Sequence, residues 1–332
     1  MVIKKISQTG LTVSAIGLGC MGMSEFYGTA DEPECIATLE EAVELGITHF
    51  DTADMYGFGD NERLIGRVLK PFRDKIIIAT KFGIVRDKNQ TIARGVNGSP
   101  EYVKAACASS LERLGMDYID LYYLHRMDPR VPIEETIQAM AELVKEGKVR
   151  YIGLSEADAE TIRLAHQIHP ISAIQSEYSL WARGPEKEIL PLCQELGIGF
   201  VAYSPLGRGF LTGKITDVNA LEKDDFRRTL PRFQEGNLHH NLLIVDTLEK
   251  IAKPKNKSIA QLSLAWVLAQ APFITAIPGT KHRKYLTENM GALTIDLTPE
   301  ELDTLNKLIP PGFAHGERYA KEVMRAFNLM SD

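Results

Sequence analysis

Four side chains of types suited to proton transfer, Asp51, Tyr56, Lys81 and His125, occur within one part of the chain. A phenol can donate a proton to a developing oxyanion, and a nearby ammonium favours the phenolate and so lowers the phenol pKa. A carboxylate would keep that ammonium charged and aimed, and an imidazole would orient the proton acceptor. Together the four residue types predict a proton-donating site.

Each of the four also has an ordinary structural explanation when taken alone. An aspartate at a strand end can cap a loop, and a tyrosine can simply pack. A lysine at a strand end can be exposed, and a histidine after an apolar strand can be a satisfied core residue. The functional interpretation therefore depends on whether the fold brings the four side chains together.

Short, nearly all-apolar runs alternate with helix-like runs, as expected for strands that are buried on both faces and covered by helices. Eight such units in about 280 residues predict an α/β fold, a (β/α)8 TIM barrel. No linker rich in Pro, Gly or Ser interrupts the pattern, so we predict a single domain over residues 1–332. The predicted strands are Ser14–Gly19, Ile47–Asp51, Ile76–Thr80, Ile119–His125, Val149–Ser155, Ile171–Ser176, Gly199–Ser204 and Phe273–Gly279.

Several segments lie outside the eight units. Met1–Val13 contains a turn between two short strands and predicts a β-hairpin that plugs the bottom of the barrel. Lys214–Asn237 is a long polar insertion and a candidate lid over the active site. Thr298–Leu308 and Gly316–Leu329 predict extra C-terminal helices.

In a TIM barrel the chemistry takes place where strands end and βα loops begin. Because all these ends face one rim, residues far apart in the sequence can converge there. The polar residues at the predicted strand ends are Asp51, Lys81, His125, Ser155, Glu156, Gln175, Tyr203, Ser204, Gly279 and Thr280, with Tyr56 just inside the second loop.

Gly17, Gly19 and Gly22 spell the G-x-G-x-x-G fingerprint of open dinucleotide-binding sheets. That mechanism needs the third glycine to open a helix, but the next helix is predicted to start only near Pro33. No strand ending in an acidic residue follows at the required spacing of about 20 residues. The glycines therefore do not predict an open dinucleotide-binding sheet.

Composition and charge exclude several classes of partner. The net charge is -6, so nucleic acid is not an expected partner. The uncharged stretch Ser258–Thr280 is interrupted by polar residues and Pro272, which favours a buried helix and strand over a membrane span. The four cysteines form no C-x-x-C pair and predict reduced thiols in the cytoplasm. No metal site is predicted, and the sequence leaves the oligomeric state open, a monomer included.

Several short motifs resemble those of the aldo-keto reductase superfamily. The similar segments are HFDTADMYG (49–57), ATKFG (79–83), DLYYLHR (120–126), GLSE (153–156), IQSEYS (174–179), AYSPLGRG (202–209), IPGT (277–280) and EN (288–289). They occur in order with barrel-like spacing and extend the resemblance from Ile3 to about Tyr319. GCMGMS (19–24) and GERY (316–319) are most similar to the bacterial and plant branch near pyridoxal and perakine reductases.

This resemblance implies a reductase that uses NADPH to convert small aldehydes or ketones to alcohols. Tyr56 would then be the acid, tuned by Lys81 and Asp51, and His125 would bind the carbonyl. The implied substrate contacts are Tyr56, His125, Met55 and Phe82, with Met21, Phe26 and Trp181 as further pocket residues. The implied cofactor contacts are Met21, Asp51, Ser155, Gln175, Tyr203, Ser204, Leu206, Gly207, Arg208, Gly279, Thr280, Lys281, Arg283, Glu288 and Asn289.

Two positions depart from the family pattern. Glu156 stands where many relatives have Asn, so a contact from this residue to the nicotinamide carboxamide is not carried over. Tyr285 stands where many relatives have Arg, so the 2′-phosphate would rest on Lys281, His282 or Arg283. Such a basic triplet near a helix start is suited to an anion, although it would also suit a solvated helix face.

Two other functions are consistent with parts of the sequence. An aldo-keto reductase-like scaffold could bind NADPH as a sensor or regulatory subunit with little turnover, as the more distant resemblance to potassium-channel β-subunits suggests. An unrelated barrel such as a metal hydrolase would need metal ligands. The chain does not supply these, since His166 and His169 lie on a predicted helix.

Overall fold

A parallel β-barrel is the centre of the computed structural model, which describes residues 1–87 and 90–326. The strands are β1 (Ile3–Lys5), β2 (Thr12–Ser14), β3 (Leu18–Gly19), β4 (His49–Asp51), β5 (Ile77–Phe82), β6 (Ile84–Asp87), β7 (Gln90–Val96), β8 (Ile119–Leu124), β9 (Val149–Ser155), β10 (Ala173–Glu177), β11 (Gly199–Tyr203) and β12 (Ile274–Ile277). β3, β4, β5 and β8 to β12 pair in parallel as one sheet in chain order, which confirms the predicted (β/α)8 barrel.

Helices follow the barrel strands and cover their outer face. They are α1 (Glu32–Glu44), α2 (Asp60–Leu69), α3 (Pro100–Leu114), α4 (Ile133–Lys145), α5 (Ala159–Ile168), α6 (Ile189–Leu196), α7 (Glu235–Ala252), α8 (Ile259–Ala269), α9 (Arg283–Met290), α10 (Pro299–Leu308) and α11 (Lys321–Ala326). Capping residues in the sequence set where several of these helices begin. The Ser99 side chain caps α3 ahead of Pro100, and Ser258 and Gln261 form a capping box on α8.

The first and last barrel strands approach each other closely. Parallel bridges join Ile16 to Ala276 and Gly19 to Gly279. A Cβ atom on Gly19 would lie 2.9 Å from the carbonyl oxygen of Ile277, so only glycine permits this approach. Gly19 therefore acts in barrel closure, in agreement with the rejection of the G-x-G-x-x-G fingerprint.

Alternation along the strands divides the side chains between two apolar layers. Ala79, Leu121 and Val201 pack inside the barrel, whereas Ile78 and Phe82 pack outside against the helices. The inner layer also contains Ile6, Leu11 and Val13, which come from the β1–β2 hairpin and its flanks. This packing confirms the predicted N-terminal plug.

The remaining predictions outside the barrel are partly confirmed. The predicted helix Thr298–Leu308 is α10, capped by Thr298. Of the predicted helix Gly316–Leu329, the structure has α11 at Lys321–Ala326, and residues 327–329 lie outside the described residues. The β6–β7 hairpin was not predicted, and the polar insertion folds into short 3-10 helices before α7. Among the described residues, no helix combines the length and apolarity needed to cross a membrane.

The contact between α2 and the end of α3 gives a test of the packing. A Cβ atom on Gly66 would lie 2.2 Å from the backbone oxygen of Leu114, whereas one on Gly236 in α7 would have no described atom within 4 Å. Gly66→Ala should therefore lower the free energy of unfolding by roughly 1–3 kcal/mol, as overpacked sites do. The matched control Gly236→Ala should be neutral or slightly stabilising. Denaturant unfolding checks both variants, and equal effects would contradict this packing.

Candidate active site

A buried ion pair joins Lys81 of β5 to Asp51 at the end of the adjacent strand β4. Lys81 Nζ donates to Asp51 Oδ1 and also to the backbone oxygen of Thr52 at 2.7 Å. The second carboxylate oxygen of Asp51 accepts from Gln175 Nε2 on β10 at 2.8 Å. Both charges are therefore fully partnered inside the barrel, which offsets the large cost of desolvating them.

Tyr56 and His125 lie beside this ion pair. Tyr56 begins the 3-10 turn Tyr56–Gly59, and its hydroxyl lies 3.5 Å from Lys81 Nζ. The His125 ring meets the Tyr56 ring edge to face, with centroids 6.0 Å apart. The backbone N–H of His125 donates to the backbone oxygen of Phe82 at 2.7 Å, which fixes the residue just past β8. The structure thus brings the four predicted catalytic side chains together.

The pKa of Tyr56 is shifted in the direction opposite to the prediction made from the sequence. Burial, and then the Asp51 carboxylate, hold the pKa of Tyr56 well above its usual value, and Arg126 lowers it only in part. The predicted lowering by Lys81 is therefore wrong, because the Lys81 ammonium is paired with Asp51. Burial also lowers the pKa of Lys81, although Asp51 acts in the opposite direction. Tyr56 is consequently a neutral phenol and carries a proton that it can donate.

Arg126 is a buried cation of this site that sequence reasoning did not single out. Its guanidinium donates to the backbone oxygen of His125 at 2.7 Å and to Ser155 Oγ at 3.1 Å. The available signal was its position directly after His125 at the end of a buried strand. Ser155 and Gln175, both predicted to hold a carboxamide, therefore lie within the same hydrogen-bonded group as the predicted catalytic residues.

A second buried set of charges lies at the ends of β9, β10 and β11. Arg318 pairs with Glu156 at 2.9 Å, and Arg208 pairs with Glu177 at 2.7 Å. Burial acts to raise the pKa of Glu156, but Arg318 and then Arg126 outweigh it and lower that pKa to about 2. A glutamate at position 156, where many relatives have Asn, therefore has a partner in this chain, because its carboxylate binds Arg318.

Three members of this region, Glu177, Arg318 and Tyr319, were missed as site residues. Strand alternation could have indicated Glu177, which lies two residues after Gln175 on the same face of β10. Arg318 and Tyr319 belong to the GERY segment and reach the site only through tertiary contacts. The hydroxyl of Tyr319 lies 3.3 Å from that of Tyr203, and its ring centroid lies 4.6 Å from the Arg208 guanidinium carbon.

Apolar side chains surround the mouth of the site. Met21 and Phe26 pack against a cluster that contains Met55 and Tyr56. Phe26 also meets Phe226 of the insertion edge to face, with centroids 5.9 Å apart. The insertion thus contacts the loop that follows the first barrel strand.

Two predicted pocket residues lie elsewhere. Phe82 is fully buried and stacks on Tyr122, because alternation on β5 turns Lys81 inward and Phe82 outward. Trp181 is also buried, stacked on Phe210 with centroids 4.3 Å apart, and it meets Phe233 of the insertion edge to face with centroids 5.5 Å apart. Both residues are therefore removed from the predicted pocket lining.

The residues predicted for the adenosine end surround the start of α9. Lys281 Nζ donates to the backbone oxygens of Tyr27, Gly28 and Thr29 at 2.8, 3.1 and 2.5 Å. Arg283 pairs with Glu34 of α1 at 2.9 Å. The remaining predicted contacts lie nearby. Gly279 is bridged to Gly19 at the closure of the barrel, and the Thr280 hydroxyl is hydrogen-bonded to the backbone of His282. The Glu288 carboxylate lies 3.8 Å from Lys214 Nζ, and Asn289 is buried.

The barrel, with polar groups gathered at the carboxyl ends of its strands, places the protein in the class of TIM-barrel enzymes. The sequence profile of the aldo/keto reductase family matches residues 15–310. The chain is also 48% identical over 322 residues to a probable aldo-keto reductase 1 from Glycine max, covering 95% of this chain and 91% of that protein. The chain therefore belongs to the aldo/keto reductase family, whose members are oxidoreductases that act on carbonyl groups.

Solved structures agree with this assignment. A glycerol dehydrogenase from Gluconobacter oxydans aligns with a TM-score of 0.84 and 30% identity over 93% of this chain and 96% of that chain. An aldo/keto reductase from Klebsiella pneumoniae, in complex with NADP and acetate, aligns with a TM-score of 0.73 and 29% identity over 96% and 98% of the two chains.

Asp54 of the Tyr56 loop predicts a pH dependence of stability. Its Oδ1 atom has no hydrogen-bond partner within the described part of the chain, and burial followed by Glu62 raises its pKa to about 8. This folded-state pKa exceeds the unfolded value of about 4, so the folded protein binds the Asp54 proton more tightly than the unfolded chain does. The contribution of Asp54 to the free energy of unfolding is therefore fully present below about pH 4 and is lost as the pH rises to about 8. Asp54→Asn should therefore be more stable than the wild type at pH 8–9, with a smaller difference at pH 5.

Thermal unfolding of both proteins from pH 5 to pH 9 measures this dependence. The exposed Asp117 supplies the matched control, Asp117→Asn, whose melting temperature should follow that of the wild type. A constant difference between Asp54→Asn and wild type across the range would contradict the account of Asp54.

Proposed function

We propose that this protein reduces small aldehydes or ketones to alcohols with NADPH and that Tyr56 donates the proton. The observation that carries the proposal is the neutral, buried Tyr56 hydroxyl, 3.5 Å from Lys81 Nζ and beside His125. NADPH, when bound, supplies the hydride to the carbonyl carbon. The alcohol proton then comes from the chain, and Tyr56 is the donor suited to give it.

Each of the other three residues has a physical role in this step. When the proton leaves Tyr56, the phenolate forms beside the Lys81 ammonium, whose attraction lowers the barrier to transfer. Asp51 and the backbone oxygen of Thr52 hold Lys81 in place through that change. The His125 ring, held against Tyr56, orients the substrate oxygen toward the hydroxyl.

The residues present fit a dinucleotide at the neighbouring strand ends. Ser204, Gly207 and Arg208 have positive φ angles of 47°, 56° and 59°, which fold the segment after β11 into a tight loop. A Cβ atom on Gly207 would lie 2.6 Å from Trp181 Nε1, so this loop lies directly on the tryptophan. Arg208 in the loop brings a buried cation to the place where the diphosphate would lie.

Two further cations, Arg227 and Lys281, contact the backbone of Arg208 and of Tyr27. The Arg227 guanidinium carbon lies 5.1 Å from the ring centroid of the half-buried Tyr27. Burial raises the pKa of the Tyr27 hydroxyl, and Arg208 and Arg227 both act against that rise. Burial, with Arg227 as a further cause, lowers the pKa of Lys281. Arg208, Arg227 and Lys281 would be the cations that meet an anionic cofactor. Arg208 now pairs with Glu177, and Arg227 pairs with Asp225. Ser155 and Gln175 would hold the carboxamide, and Tyr203 would stack on the nicotinamide ring.

The adenosine phosphate would rest on the basic triplet Lys281, His282 and Arg283. Lys281 already donates to three backbone oxygens, so Arg283, in an exposed pair with Glu34, is the cation most easily turned toward a 2′-phosphate. The apolar mouth formed by Met21, Phe26 and Met55 would favour an apolar or aromatic substrate.

Tyr56→Phe should lose roughly 10²–10⁴-fold in turnover, because it removes the proton donor without changing the packing. NADPH affinity should be retained, since the phenol hydroxyl is directed at the substrate. NADPH oxidation across a panel of aldehydes and ketones measures turnover, and quenching of tryptophan fluorescence measures binding.

The matched control is Tyr118→Phe, at the opposite end of β8, which should keep wild-type turnover. Unchanged turnover in Tyr56→Phe would contradict the mechanism. NADPH binding by the wild type without turnover on any carbonyl would favour a cofactor-binding sensor.

Arg283→Gln should weaken NADPH binding about tenfold and leave NADH binding unchanged, because a charge-assisted contact to the 2′-phosphate is worth roughly 1.5 kcal/mol. Fluorescence titration with both cofactors gives the two affinities. Arg163→Gln, which removes an exposed arginine–glutamate pair between α5 and α6, serves as the control. Equal weakening for NADPH and NADH would place the 2′-phosphate elsewhere.

A further inference from the structure

Four charged side chains are buried together above the carboxyl ends of β9, β10 and β11. Glu156 follows β9, Glu177 ends β10, Arg208 lies in the loop after β11, and Arg318 comes from the segment between α10 and α11. Their exposed fractions are 6%, 1%, 8% and 5%. Elements far apart in sequence therefore meet through charges that are removed from water.

The contacts within this group are unequal. Arg318 binds both oxygens of Glu156, at 2.9 and 3.1 Å, and reaches Glu177 Oε2 at 3.5 Å. That same Glu177 oxygen accepts from Arg208 at 2.7 Å. Glu156 also accepts the backbone N–H of Glu177 at 2.8 Å, which fixes the two carboxylates relative to each other. One oxygen of Glu177 is thus shared by two guanidiniums.

This sharing sets how tightly Arg208 is held. A buried carboxylate that loses one cationic partner depends more strongly on the one that remains, because an unpaired buried charge is costly. Without Arg318, Glu177 would keep only the Arg208 contact among these pairs. Arg208 would then be drawn more strongly to Glu177 and would be less available to any other anion.

We propose that Arg318 is a positioning residue for the cofactor. Arg318 shares the Glu177 carboxylate with Arg208, and this sharing lets Arg208 turn to the diphosphate. The inference rests on the proposed function, in which the Arg208 loop covers the diphosphate. Tyr319, next to Arg318, has its ring centroid 4.6 Å from the Arg208 guanidinium carbon, so the same segment also contacts Arg208 directly. The C-terminal segment is therefore a part of the dinucleotide site.

The first test is NADPH binding by Arg318→Gln, measured by fluorescence titration with no carbonyl present. The expected result is a dissociation constant about tenfold higher, because Glu177 then competes more strongly for Arg208. Adding Glu177→Gln to this variant should restore most of the affinity, since the competing charge is gone. A purely structural role for Arg318 predicts the reverse, since a second change in the buried group would weaken binding further.

Glu177→Gln alone gives an independent readout if Arg318→Gln does not fold. It should bind NADPH severalfold more tightly than the wild type, because the anion that competes for Arg208 has been neutralised. The control Arg163→Gln removes an exposed pair and should bind as the wild type does. Thermal unfolding of every variant identifies those that remain folded.

The outcomes separate the two proposals. A wild-type protein that does not bind NADPH contradicts the proposed function. If the wild type binds NADPH, the inference about Arg318 is overturned by folded Arg318→Gln with wild-type affinity, or by failure of Glu177→Gln to rescue it. Unchanged or weaker binding by Glu177→Gln alone would also overturn it.

Discussion

The ion pair between Lys81 and Asp51 constrains the arrangement of the whole site. Two charges buried inside a barrel are tolerated only when their remaining hydrogen-bonding groups are satisfied. Thr52 supplies a backbone oxygen to Lys81, and Gln175 reaches across to Asp51 from β10. β4, β5 and β10 are thereby held in one relative position. Closure of the barrel, with Gly19 against Gly279, lets these strands face a common interior.

The same pair explains the state of the tyrosine beside it. Asp51 offsets the charge of Lys81, so burial dominates and Tyr56 keeps its proton. Lys81 still lies within reach of the hydroxyl and can stabilise the phenolate once the proton has left. A second group of buried charges, centred on Glu177, lies on the neighbouring strand ends. Arg126 connects the two groups, because it acts on the pKa of both Tyr56 and Glu156 and donates to Ser155.

Strand order, the plug and the convergence of the four predicted catalytic residues could be predicted, because they follow from periodicity and the common rim of a parallel barrel. The true place of Phe82 follows from alternation within β5, which turns Lys81 inward and Phe82 outward. The direction of the Tyr56 pKa shift could not be predicted, because residue types do not show that Asp51 offsets the effect of the Lys81 ammonium on the phenol. Arg318 reaches Glu156 across 162 residues, and no local pattern indicates such a contact.

The central claim is that Asp51 and Lys81 act on Tyr56 as one unit, and a double-mutant cycle on turnover tests it most directly. Asp51→Asn, Lys81→Met and the double variant would each be assayed for NADPH oxidation with the best carbonyl of the panel. If the pair is one unit, the double variant is no slower than the slower single variant, because the second change removes nothing further. Losses that multiply in the double variant would show that the two residues act independently and would contradict the account.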